Sequence, residues 1–188
     1  MSTATPDSLI TRIIELESEL VKCRVENKLL RSKLGSSAWR IDAEIAEAFV
    51  HGLIGGTRTR GSATHDLEAV NGQRLEIKFS NLNTPMPSST MRRWVWAHVL
   101  GRDNAKNFDR LILVAPHDPR YRQQTKDPHS PWIIFDVPYQ QVLSLAERDN
   151  TIWTGTSASK FRRSTHRRLM CDYQVSQTEL KARYTTTS

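Results

Sequence analysis

His65-Asp66-Leu67-Glu68-Ala69-Val70-Asn71-Gly72-Gln73-Arg74-Leu75-Glu76-Ile77-Lys78-Phe79-Ser80 has the pattern of a tight β-hairpin with Asn71-Gly72 at its turn. If those two residues alone formed the loop, Val70 would face Gln73 and Leu67 would face Glu76, mixing apolar and charged side chains on both faces. A three-residue loop, Val70 to Gly72 with Gly72 left-handed in a G1 bulge, instead pairs Ala69 with Gln73, Glu68 with Arg74, Leu67 with Leu75 and Asp66 with Glu76. Leu67, Ala69, Leu75, Ile77 and Phe79 then line a core face, while Asp66, Glu68, Arg74, Glu76 and Lys78 line the other. Apolar alternation alone thus selects the register that sets Asp66, Glu76 and Lys78 side by side.

Two carboxylates and an ammonium on one sheet face have the composition needed to hold a divalent cation and to position a water beside a phosphodiester. This points to a metal-dependent nuclease. The competing reading of the same charges is a solvated strand face, since an aspartate followed at this interval by Glu-x-Lys is a short pattern.

At these residues the chain resembles the PD-(D/E)XK nuclease superfamily, the fold of many type II restriction enzymes. The likeness covers the core, roughly residues 40 to 140. It implies an α/β, restriction-endonuclease-like core with a central mixed β-sheet flanked by helices. A helix before Gly55-Gly56, the hairpin, a later amphipathic helix and a buried strand follow in the order the family requires. His65 stands where the family name has proline. The resemblance implies that Asp66 and Glu76 ligate Mg²⁺, for which Mn²⁺ can substitute, with the backbone carbonyl of Ile77 completing the protein ligands. Lys78 would orient or help deprotonate the attacking water and offset charge in the transition state. The family pattern also carries a glutamate on the preceding helix. Glu47 is the first choice here and Glu44 the second; at i and i+3 they share a helix face, and the sequence does not separate them. Ser80 continues the strand parity of Lys78 and is a candidate contact to the scissile phosphate, or simply a turn residue.

A second, independent signal lies upstream. Leu9, Ile13, Leu16, Leu20, Cys23, Asn27, Leu30 and Leu34 alternate spacings of four and three, the a/d seam of a coiled coil. With Ile13, Leu20, Asn27 and Leu34 at a, parallel pairing matches Arg12 with Glu17, Glu19 with Arg24 and Glu26 with Arg31 across the seam. All three pairs attract, and a single Asn at a favours a parallel two-stranded register. The expected organisation is therefore a dimerisation helix over residues 1–35, ending near Gly35-Ser36-Ser37, and a nuclease domain over 36–188. A homodimer suits duplex DNA, because two symmetry-related sites can each cut one of two antiparallel strands.

The 188-residue chain carries a formal charge of +7, which favours an anionic partner. The basic residues cluster at Arg58 and Arg60, at Arg92 and Arg93, and in the run Lys160, Arg162, Arg163, Arg167 and Arg168, a C-terminal basic region read as DNA-binding. Two cysteines, Cys23 and Cys171, are too few and too separated for a zinc site or a disulfide framework. No stretch approaches a membrane span and no signal-peptide pattern opens the chain, so a cytoplasmic protein is expected. No P-loop pattern occurs, so no motor accompanies the nuclease within these residues.

Elsewhere, Met91–Leu100 reads as a helix stopped by Gly101, with Trp94 and Trp96 assigned to the core rather than to base stacking. Asp109–Ala115 and Trp132–Val137 read as buried strands, Pro116–Pro131 as a long loop, Tyr139–Arg148 as a helix, and Trp153–Tyr184 stays ambiguous. Taken together, these features favour a Mg²⁺-dependent, sequence-specific endonuclease on double-stranded DNA, of restriction or homing type. A structure-specific nuclease such as a Holliday junction resolvase is the alternative within the superfamily, and a non-catalytic dimeric DNA-binding module is the alternative outside it.

Overall fold

The computed structural model describes residues 6–34, 38–59, 63–101, 105–157 and 169–185. The chain divides into two compact units, residues 1–41 and 42–188. The division falls inside the second helix rather than at Gly35-Ser36-Ser37, which lie outside the described residues.

In the first unit, α1 (Pro6–Leu34) is one uninterrupted helix of 29 residues. The seam side chains Leu9, Ile13, Leu16, Leu20, Cys23, Asn27 and Leu30 are all exposed, as are Ile10, Ile14, Val21 and Val25 beside them. The side chain of Leu34 lies outside the described set. No described helix is long and apolar enough to cross a membrane.

The second unit is α/β with a mixed central sheet. α2 (Ala38–Ile54) leads into β1 (Thr57–Arg58), β2 (Leu67–Glu68), β3 (Arg74–Phe79), β4 (Arg93–Trp96), β5 (Arg110–Pro116), β6 (Trp132–Pro138), α3 (Tyr139–Leu145), β7 (Ile152–Gly155), β8 (Gln174–Val175) and α4 (Gln177–Thr185). Six strands form one sheet in the order β1-β2-β3-β5-β6-β8, and β4 pairs with β7 in a separate two-stranded sheet. β3 and β5 run parallel, while the other described neighbours run antiparallel.

The hairpin takes the register that alternation demands. Leu67 pairs with Leu75 and Glu68 with Arg74. Gly72 has φ +79°, its N–H donates to the Ala69 carbonyl at 2.9 Å, and the Ala69 N–H donates to Gln73 at 2.9 Å, which is the three-residue loop with a bulge. The Leu67 face packs with Ile112, Val114 and Ile134 beneath Ala46, Val50 and Ile54 of α2 and Leu180 and Tyr184 of α4. The opposite face is also covered. Leu111, Leu113, Ala115, Ile133, Phe135 and Val137 pack there against Trp94, Trp96, Ile152, Val142 and Leu145. Because Glu76 pairs with Leu111 and Lys78 with Leu113, these two charged residues of β3 face into this second layer.

The helix expected over Met91–Leu100 is instead a strand, β4, flanked by irregular chain. Trp94 and Trp96 are both buried, in the core as expected, and two residues apart they reach one face only with period two; on a helix they would point about 200° apart. Trp94 Nε1 donates to the Pro116 carbonyl at 2.9 Å and Trp96 Nε1 to the Val114 carbonyl at 3.1 Å, which fastens β4 across β5. The described part of the β3-to-β5 crossover therefore contains a strand and no helix, a departure from the expected element order. The segment expected as a long loop after Pro116 is tied to itself, with Arg122 donating to the Pro128 and Ser130 carbonyls around a short 3-10 turn at Arg122–Gln124.

Candidate active site

Asp66 lies one residue before β2, outside the ladder pairs with β3 and so not in the expected pairing with Glu76, and its N–H donates to the Leu75 carbonyl at 2.9 Å. Its Oδ2 accepts the Ile77 N–H at 2.8 Å, which fixes the carboxylate against the strand and leaves Oδ1 free to point elsewhere. Glu76 is completely buried, and its Oε1 accepts a 2.6 Å hydrogen bond from Lys78 Nζ. The three residues singled out from the hairpin thus form one cluster.

A fourth member comes from outside the hairpin. Lys106 Nζ lies 3.0 Å from Glu76 Oε2 and 3.5 Å from Asp66 Oδ1, so its ammonium sits between the two carboxylates. Lys106 precedes β5, and its place is set by backbone bonds on both sides: its own N–H donates to Leu100 at 3.2 Å, and the Asn107 N–H donates to Thr64 at 2.9 Å. Two carboxylates and two ammonium groups make the cluster formally neutral.

Burial pushes the Glu76 carboxyl above its ordinary range; the adjacent ammonium of Lys78 pulls it down, the Asp66 charge adds to the rise, and the net direction is upward. Burial acts against the charge on Lys106, but Asp66 and Glu76 outweigh it and hold its pKa above the ordinary lysine value. Both effects describe an ammonium that stays charged beside an acid that burial disfavours.

The donor set suits a hard divalent cation, with oxygens from Asp66 and Glu76 converging on one point. Among the described residues no group of three or more His, Cys, Asp or Glu side chains could hold a metal, so a cation here would need backbone or solvent oxygens besides these two carboxylates. Ile77, next to Glu76 in β3, touches the site through its N–H, which donates to Asp66 Oδ2.

The helix carboxylates lie elsewhere. α2 packs over the Leu67 face, opposite to the one Glu76 and Lys78 share. Glu47 is ion-paired with Arg58 at 2.7 Å, and Glu44 is exposed. The buried acid of α2 is Asp42, which sequence reasoning passed over; it accepts a 2.8 Å bond from Asn81, just beyond the end of β3. Ser80 is buried and joins β3 to β4, its Oγ accepting the Val95 N–H at 2.8 Å and donating to the Asn81 carbonyl at 2.9 Å.

Of the residues expected to touch DNA, Arg58 is engaged by Glu47 as above, Arg92 lies 3.8 Å from Asp118, and the Arg93 guanidinium sits 5.8 Å from the centre of the Trp153 ring. Arg60, Lys160, Arg162, Arg163, Arg167 and Arg168 lie outside the described residues. Asp118 is held by Arg120 and by Thr156, whose hydroxyl donates to it at 2.6 Å. A second buried acid, Asp136, binds Arg110, Arg183 and Tyr184 and ties α4 to the sheet.

No local signal in the sequence marks Lys106 or Asp42: each reaches its partner through a long-range contact rather than through strand or helix periodicity. The sequence matches no model of a known protein family and none of the curated proteins with which it was compared.

Proposed function

We propose that residues 42–188 form a nuclease of the PD-(D/E)XK type that hydrolyses phosphodiesters in double-stranded DNA. The observation that carries this reading is the hairpin register, which gathers Asp66, Glu76 and Lys78 in the order the chemistry requires and points two carboxylate oxygens at one cationic position. Asp66 and Glu76, with the Ile77 carbonyl, would hold Mg²⁺ or Mn²⁺. A bound ion of this kind supplies charge neutralisation at the phosphate and lowers the pKa of a coordinated water. Asp66 keeps one oxygen anchored on the Ile77 N–H, which fixes the carboxylate with its other oxygen towards Lys106. Lys78, one strand pitch from Glu76, orients the attacking water and balances charge as the phosphorane forms.

The exposed seam of α1, with its matched charges across a parallel pair, supports a homodimer through a coiled coil, and with it two cuts per duplex. A restriction or homing role suits such a dimer. A second reading, a non-catalytic DNA-binding module, is favoured by one observation: Lys78 and Lys106 between them neutralise both carboxylates, as in a purely structural ion cluster.

The deciding experiment incubates the full-length protein with phage DNA, plasmid DNA and branched junctions, with Mg²⁺ and with EDTA. Discrete fragments from linear duplex only with Mg²⁺ support a sequence-specific endonuclease, and cleavage confined to junctions would shift the assignment to a resolvase. Lys78→Ala should lose at least ~100-fold in cleavage rate while holding DNA as before. Intact substrates throughout, with DNA still bound, would leave the binding module.

A further inference from the structure

Lys106 belongs to no part of the hairpin, yet its ammonium fills the one position on which Asp66 Oδ1 and Glu76 Oε2 converge, at 3.5 and 3.0 Å. Among the described residues, buried Glu76 Oε2 accepts no hydrogen bond of good geometry and is met by the Lys106 ammonium. Lys78 differs: it is hydrogen-bonded to the other Glu76 oxygen and belongs to the same strand. The stem of Lys106 packs against Gly101, whose φ is +75° and where a Cβ would come 2.7 Å from Lys106 Cγ, so this close approach needs a glycine. Lys106 also lines an open cleft of about 610 Å³, with Arg74, Asn107, Asp109 and Tyr139.

A Mg²⁺ ion binds oxygens at about 2.0–2.1 Å, and Mn²⁺ prefers the same kind of oxygen donors. An ion on Asp66 Oδ1 and Glu76 Oε2 would occupy the volume the ammonium now fills, and two cations in that space repel. We propose that Lys106 is a tethered internal cation that occupies the metal position when no metal is bound and is displaced into the cleft when a divalent ion takes its place. This rests on the reading of Asp66 and Glu76 as cation ligands but not on cleavage. The device keeps a fully buried carboxylate compensated in the metal-free protein. It also sets the metal threshold, because apparent affinity falls by the fraction of time in which Lys106 is out of the way. If that fraction is about one in ten, removing the ammonium tightens metal binding about tenfold.

The test is Mn²⁺ titration of the full chain by calorimetry, without DNA, for the parent, for Lys106→Met, which keeps an unbranched stem, and for Gly101→Ala, which crowds the lysine while keeping its charge. Both variants should bind Mn²⁺ more tightly, Lys106→Met by about tenfold. In the parent, reductive methylation of Lys106 read by peptide mass spectrometry should be slow without metal and several-fold faster with Ca²⁺; this measurement stands if either variant fails to fold. Unchanged or weaker affinity in Lys106→Met, no Mn²⁺ binding by either protein, or a methylation rate indifferent to Ca²⁺ would each overturn the proposal. A parent that cleaves no DNA but shows the expected metal competition would retire the nuclease reading and leave this one standing.

Discussion

Replacing Glu76 with glutamine asks whether the site weakens the fold that carries it. Glu76 is fully buried, and its compensation consists of Lys78 at 2.6 Å and Lys106 at 3.0 Å. Burial disfavours the ionised form more than the lysines favour it, so the folded protein raises this pKa. A carboxyl of this kind binds its proton more tightly folded than unfolded. Its contribution to stability is therefore full below the ordinary glutamate pKa and is lost as pH rises through the raised value. Above the raised value the charge is a net burden on the native state. Glutamine keeps the shape and can still accept from Lys78, at the cost of an amide N–H₂ facing Lys106. Both lysine side chains keep some contact with solvent, 25% and 23% exposed, and can turn towards water. Glu76→Gln is accordingly expected to gain about 1 kcal/mol at pH 7, the sign that follows when a charge that burdens the fold is removed while both lysines can turn to water. In a domain of this size that is about 2–4 °C in Tm. Urea unfolding of both proteins from pH 4 to pH 8 should show the advantage vanish at the acid end. A Glu76→Gln protein that is less stable at pH 7, with a deficit that grows as pH rises, would refute the reasoning and show that the two lysines dominate. The same variant should have lost cleavage.

Acid should strip a different contribution. Burial pushes the Asp118 carboxyl up, but hydrogen bonds from Arg120 and Thr156 outweigh it and bring the pKa down to about 2; about 2 kcal/mol of stability present above pH 4 should be lost as pH falls towards 2, and Asp118→Asn should lack that loss in urea titrations. Trp94→Phe should cost more than Trp96→Phe, by about 1 kcal/mol, because the Val114 carbonyl released in the second also accepts the Ser80 N–H at 3.0 Å; equal shifts of the denaturant midpoint would contradict this. Removal of residues 1–34 should yield a monomer by sedimentation with weaker duplex cleavage, and a persisting dimer would show that another surface holds the copies together.

Three of the four residues of the candidate site were legible in the sequence alone because their information is local. Asp66, Glu76 and Lys78 lie within thirteen residues of chain, and an alternating pattern plus one left-handed glycine permits a single register. The strands after it were legible for a related reason: Leu111-Ile112-Leu113-Val114 and Ile133-Ile134-Phe135 are apolar on both faces, as a sheet buried from both sides requires. α1 was equally readable as one long helix, since helical spacing of its side chains runs along its whole length.

Where the reading failed, the deciding contacts were distant in sequence. Met91–Leu100 has apolar residues that suit either period, and only the carbonyls of Val114 and Pro116, offered by another strand, make β4 the place for Trp94 and Trp96. Glu47 and Glu44 were reasonable on helix spacing, yet the packing of Ala46, Val50 and Ile54 turns α2 towards the other face of the sheet. Lys106 had no motif at all. Its ammonium reaches Glu76 because the parallel pairing of β5 with β3, and the bond from Asn107 to Thr64, bring the end of a long crossover back over the hairpin. Sequence by itself determined what alternation, turn stereochemistry and helical spacing encode over a turn, a strand or a helix, namely the long helix α1, the hairpin register and its three charged residues. Which helix acid lies against β3, and which lysine sits between the carboxylates, only the closed tertiary structure decided, because those contacts depend on where whole elements pack.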